Sequence, residues 1–156
     1  MIFGASMREA WNDSPTNLGQ CITVEEWTNV NAFVARLTAA GVRDFSLYAI
    51  WSMRETLETE ITPEQLDKLL PASATWVLYA GKQLYESEEE WPKSPREGDP
   101  ASGGPLWSGK RGFCRERWSS WKRGFESVAG REGVGEGARG IAKEAVGAME
   151  AVERGT

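Results

Sequence analysis

Few residues in this sequence have types and spacings that could do chemistry. Arg54 and Glu58 stand one helical turn apart among large apolar side chains. On an open helix such a pair is worth roughly 0.2–0.5 kcal/mol, and it has two readings: a satisfied structural pair with the arginine stem snorkelling outward, or a guanidinium held ready for a ligand. The second concentration is residues 110–123, where Lys110, Arg111, Arg115, Arg117, Lys122 and Arg123 interleave with Trp118 and Trp121. Cations there could meet phosphates while indole rings stack on bases. Long cationic side chains flanking the edge of a core stripe produce the same pattern. A third kind of site would place aromatic rings around Arg54, Glu55 or Glu58, with paired carboxylates as the only acid/base chemistry left. Arg54, Glu58, Arg111, Arg115 and Lys122 are therefore the candidate contact residues.

Most of the catalytic repertoire is absent from the composition. There is no histidine, the commonest neutral-pH acid/base group and metal ligand. Cys21 and Cys114 are too few for a zinc site and have no C-x-x-C spacing, so reduced thiols are expected. Glycines 103, 104, 109 and 112 do not make a phosphate loop, because no strand precedes them and no hydroxyl follows the lysine. They read as a chain reversal that carries Trp107 to the core. The sequence thus points to no catalytic residue, no cofactor and no metal.

The elements that must position these residues are helices. Over residues 44–58 the large apolar side chains point in every direction at about 100° per residue, so this stretch should be enclosed by other helices and serve as the axis of the fold. Before it, Thr23 is a hydroxyl N-cap followed by Glu25 and Glu26, with Trp27, Val30, Val34 and Leu37 as a stripe and Gly41 as the exit. Thr62-Pro63-Glu64-Gln65 is a capping box with proline at the first helical position. Pro71 predicts a break at Leu70, although Leu66, Leu69, Trp76, Ala80 and Leu84 keep one arc across it. Residues 87–112 have loop composition, pinned at Trp91 and Trp107 and mobile over 93–103.

The last firm helix runs from about Cys114 to Val128 with Cys114, Trp118, Trp121 and Phe125 on one stripe; Arg115 and Lys122 flank one edge and Arg117 the other. Seven glycines from Gly130 onward predict a tail over 129–156, disordered or weakly helical, beside a helical domain over 1–128. At the front, Phe3, Met7, Ala10 and Trp11 allow at most a short helix before Asn12-Asp13-Ser14-Pro15.

A chain of 156 residues suits one core, and a net charge of −5 shows no overall bias towards polyanions. Eight tryptophans spread over nearly every segment suggest one aromatic core shared by all elements. No apolar run reaches the roughly 18 residues of a membrane span. An intracellular protein, cytoplasmic or nuclear, is the expectation.

Gly103-Gly104-Pro105-Leu106-Trp107, followed by Gly109, Gly112-Phe113, Glu116-Arg117-Trp118, Trp121-Lys122 and Phe125, resembles a fungal (ascomycete) family of uncharacterised helical proteins, domain of unknown function 3632. The stretches 27–37 and 48–58 fit it as well, so the likeness spans roughly Phe3 to Phe125. It implies a helical fold and no assigned activity, and it carries no catalytic or binding residue over to this chain. Members of the family usually have further helices before the first residues here, which makes residues 3–11 the end of a longer region and predicts an exposed apolar patch rimmed by residues 2–11 and 23–40. The family also tends to have serine where Cys114 stands, a cap difference of about 1 kcal/mol.

The reading is an all-α, single-domain bundle of about five helices around 44–58. Its expected role is a non-enzymatic module that binds another protein or a second copy of the chain. Nucleic-acid binding through 110–123 and an aromatic small-molecule pocket are the alternatives. The acidic stretch 86–90 and the basic stretch 115–123 are expected to lie near one another, since each would otherwise repel itself.

Overall fold

The computed structural model describes residue 15 and residues 22–96 and 98–155. The short N-terminal helix, the patch rim at residues 2–11 and Cys21 lie outside the described residues. Among those described, five helices form the fold: α1 (Val24–Ala39), α2 (Ser46–Leu57), α3 (Pro63–Glu86), α4 (Arg115–Ala129) and α5 (Glu136–Glu153). No strand occurs among them, only isolated bridges between Glu90 and Gly112 and between Ser94 and Gly98. The architecture is an all-α single-domain bundle.

Helix boundaries follow from local chemistry. Thr23 Oγ1 accepts from the Glu26 amide at 3.0 Å, and Glu25 and Glu26 sit where the helix dipole favours carboxylates. Gly41, at φ 71°, takes the chain out of α1 through a conformation that side chains with a Cβ rarely adopt. Thr62 and Gln65 cap α3 reciprocally, with Pro63 at its start.

Pro71 does not break α3. The helix runs through it, and the one non-helical residue inside is Ala80, at φ −125° and ψ 15°. Tertiary packing overrides the missing proline donor, because α1 lies alongside the helix across it: Trp27 packs with Leu69 and Ala72 on either side of the proline, while Asn31 meets Trp76 and the Ala39 carbonyl meets Gln83 further along. Ala80 precedes Gly81, where a Cβ would meet Val152 of α5 at 3.3 Å and Trp118 of α4 at 3.8 Å.

The largest correction concerns the expected tail. Residues 136–153 form α5, and Ala138, Ala142, Ala145 and Met149 are buried against α3 and α4. Spacing at i, i+4, i+7 and i+11 makes a stripe, and burying that stripe supplies what the poor helix propensity of glycine cannot. The α2 helix touches α1, α3 and α4, as an apolar-all-round helix must, yet the longest packing seams belong to α3.

The α1–α2–α3 junction is polar and satisfied. Asn31 Oδ1 accepts from Ser52 Oγ and Trp76 Nε1, each at 2.9 Å, and Asn31 Nδ2 donates to the Trp27 carbonyl at 3.0 Å. Thr56 and Ser73 hydroxyls meet at 2.9 Å beside it. Buried polar atoms joined this way fix the register of three helices instead of weakening the core.

Candidate functional site

Glu58, the residue that ends α2, is the centre of the site. Its side chain is 1% exposed and that of Arg117 on α4 is 0% exposed. Arg117 Nε donates to Glu58 Oε1 at 2.7 Å and Nη2 to Oε2 at 2.9 Å, the bidentate geometry for which guanidinium and carboxylate are matched. The other guanidinium hydrogens go to carbonyls: Nη1 to Ala101 and Gly112, each at 3.0 Å, and Nη2 to Ser102 at 3.3 Å. All five donors of Arg117 are thereby used. On the carboxylate side, Trp121 Nε1 donates to Oε1 at 2.7 Å and the Gly104 amide to Oε2 at 3.1 Å.

The loop between α3 and α4 is built around this pair. The Leu106 amide donates to the Glu58 carbonyl at 2.9 Å. A Cβ at Gly104 would collide with that same carbonyl, so only glycine lets the loop approach this closely. Trp51 Nε1 donates to the Pro100 carbonyl at 2.7 Å and Ala101 is fully buried. The expectation of mobility over 93–103 is therefore overturned at residues 100–102, because the carbonyls there are the acceptors for side-chain donors of α2 and α4. Trp107 does not enter the core proper; half-buried, it donates to the Lys110 carbonyl at 3.1 Å with Arg117 5.8 Å from its ring centre.

The sequence-predicted residues scatter. Arg54 does not pair with Glu58: it is half-buried and reaches Ser102, carbonyl and hydroxyl each at 3.2 Å. Glu58 turns to the other side of the chain end, where Arg117 outbids it with a full set of carbonyl partners. Arg111 is exposed and pairs with Asp99 at 2.8 and 2.9 Å, which holds its guanidinium above the usual range through that hydrogen bond and charge. Arg115 lies 3.4 Å over the Tyr85 ring. Lys122 pairs with Glu153 of α5 at 2.7 Å.

Arg117, treated in the sequence as an edge cation, is the hub residue that reading did not single out. Its signal was its place one turn before Trp121, which puts it on the inward side of α4. Trp118 and Trp121 are themselves buried, so their rings are core and not stacking platforms. The acidic stretch 86–90 is held by residues just before the basic stretch 115–123: the Phe113 amide donates to the Glu89 carbonyl at 2.9 Å and Lys110 Nζ to the Glu88 carbonyl at 2.6 Å. No ion pair joins the two stretches among the described residues, where the cations of 110–123 instead take Asp99, Glu58 and Glu153 as partners.

Much of the motif 103–121 serves this pair: Gly104, Leu106, Gly112 and Arg117 hold Glu58, directly or through one another, and Phe113 stands edge-on to Trp121 at 6.0 Å. The family described as protein of unknown function (DUF3632) matches residues 1–125. The chain belongs to that family. Curated proteins and solved structures return no match to the chain. Glu58 and Arg117 both lie within the matched stretch, and their pairing locks α2, the long loop and α4 together.

Around the hub the surface is shallow. A cleft of about 390 Å³ holds Trp27, Trp51, Arg54, Glu55 and Thr59. A second, of about 650 Å³, runs past Tyr85, Arg115, Ser119, Lys122, Arg123 and Glu153. Burial pushes the Glu153 carboxyl up, but hydrogen bonds from Lys122 and Trp118 outweigh it and hold the group below the usual carboxylate range. Among the described residues no cluster of acidic or cysteine side chains is placed to hold a metal ion, and no helix is long and apolar enough to cross a membrane.

Proposed function

We propose that this DUF3632 chain is a non-enzymatic helical interaction module of the cytoplasm or nucleus, and that its partner is another protein. The observation that carries the reading is where chemistry has been spent. The best-placed charges, Glu58 and Arg117, satisfy each other inside the molecule, while large apolar side chains stand outside. Phe33 is 50% exposed, and Leu78 and Tyr79 are exposed on α3. Arg36, one turn after Phe33, lies 4.2 Å over the Tyr79 ring, which links the α1 and α3 groups into one aromatic and cationic face. Aromatic side chains with arginine are the composition from which interface hot spots are made.

The test is cross-linking of the full chain in extract of its source cell, with mass spectrometry of captured protein and of retained nucleic acid. The reading requires that a captured protein be lost with Phe33→Glu and Tyr79→Glu and kept with Lys143→Glu, an exposed change on α5. Nucleic acid retained in proportion to Arg115 and Arg123 would instead favour the basic cleft, and a partner indifferent to all three changes would overturn the face.

A further inference from the structure

A groove of about 690 Å³ runs between the turn that joins α2 to α3 and the second half of α4. Leu57, Ile61, Leu66 and Val128 give it an apolar lining. Leu106 lines it too, yet is 57% exposed. That exposure is built into the loop. The Trp107 amide donates to the Gly104 carbonyl at 3.0 Å, closing a turn with Pro105 and Leu106 at its tip, and the Leu106 amide is fixed to the Glu58 carbonyl at 2.9 Å. The hub that orders the loop thus also holds this side chain out. Two charges line the same groove. Glu60 belongs to the α2–α3 turn and Arg131 to the turn after α4, which puts them on opposite walls. Neither is paired within the chain, where the ion pairs among the described residues are Glu64–Lys68, Asp99–Arg111, Glu58–Arg117 and Glu153–Lys122. An apolar knob, an apolar groove and an unpaired charge of each sign therefore share one face.

We propose that this face is the contact between two copies of the chain, related by a two-fold axis that passes through the groove. Such an axis sets each wall of one groove against the opposite wall of the other, because residue i meets j while j meets i. Glu60 of each copy then faces Arg131 of the other, and each Leu106 enters the other copy's groove. The occupant is a second copy because one chain already carries both halves of the fit. A different protein would have to supply the same knob and the same two charges anew. Each copy has a net charge of −5, so the copies repel at long range and their attraction has to be local, as crossed pairs and apolar contact are. The groove shares no residue with the α1–α3 face, and the proposal does not rest on the partner read from that face.

Sedimentation of the full-length protein at rising concentration tests it, with circular dichroism to check that each variant is folded. The natural chain should form a dimer, and Leu106→Glu, a change at an exposed side chain, should stay monomeric. Glu60→Arg and Arg131→Glu each set like charges against one another in both crossed pairs, and each should weaken the dimer at least about tenfold. Mixed in equal amounts, these two variants should regain a dimer close to the natural one in affinity, because a groove with two cations then faces a groove with two anions. A natural chain that stays monomeric at every concentration overturns the proposal, as does a dimer that survives Leu106→Glu. Failure of the mixed variants to associate overturns the crossed pairing and with it the two-fold axis. A dimer lost instead with Phe33→Glu or Tyr79→Glu moves the self-contact to the α1–α3 face and overturns the groove as its site.

Discussion

At the scale of single residues, the Glu58–Arg117 pair is where the molecule is most exposed to damage. A buried pair adds little over a well-packed apolar pair, but removing one member strands the other's charge, typically at 3–5 kcal/mol. Arg117→Ala and Glu58→Ala should each lower unfolding free energy in urea by about that amount, and the double change should cost much less than their sum. Additive losses would mean that the two side chains act independently. Gly104→Ala should destabilise by about 2 kcal/mol or more, since its methyl must displace the Glu58 carbonyl that holds Leu106. Cys114 already caps α4, its Sγ accepting from the Arg117 amide at 3.4 Å. Cys114→Ser, with a shorter and stronger acceptor, is expected to raise stability by up to about 1 kcal/mol. A lower thermal midpoint for that variant would show that the thiol's packing outweighs its capping.

At the scale of elements, α3 and α5 carry opposite lessons about propensity. Pro71 sits inside a helix that packing has made continuous, so Pro71→Ala restores an amide donor and should stabilise by at most about 3 kcal/mol, less whatever contact the ring makes. Equilibrium unfolding decides it, and a destabilised variant would assign the ring a packing role. The α5 helix is tied down by Glu153, which faces Lys122 and Trp118 of α4 and its neighbour Arg154, while Glu150 and Glu126 act on Lys122. Because its carboxyl is held below the usual range when folded, its stabilisation is fully present above that range and is lost as pH falls through the lowered value. Lys122, raised chiefly by its bond to Glu153, contributes below the usual lysine range and loses its effect as pH rises through the raised value. Hydrogen exchange of α5 should therefore accelerate first on acidification, with α3 following later, and Glu153→Gln should abolish that acid step.

At the scale of the whole molecule, the net charge of −5 and the internal use of cations argue against polyanions. Trp118 and Trp121 are buried and Arg117 is saturated, which leaves Arg115 and Arg123 as exposed cations beside a carboxylate-lined cleft. Fluorescence anisotropy with a labelled single-stranded oligonucleotide should show no binding at physiological salt. Micromolar binding that weakens steeply with salt would restore the basic segment as an interface.

What was legible in the sequence was what local chemistry decides. The Thr23 and Thr62 caps, the exit at Gly41, the stripes of α1 and α4 and the all-α class all follow from hydrogen-bonding side chains and apolar period over a few residues. The motif 103–121 was visible as a pattern too, but not what it encloses. Which of two arginines Glu58 would choose depends on a contact 59 positions away: the place of Arg117 one turn before Trp121 marks it as inward-facing, but not as the partner of Glu58. The same holds for α5, whose glycines read as a tail until α3 and α4 offer a channel to bury four small side chains. Local propensity is a matter of tenths to about one kcal/mol per residue, and the burial that only the tertiary structure supplies can exceed it. Pro71 inside α3 and the fixed loop at 99–112 were decided by that same excess.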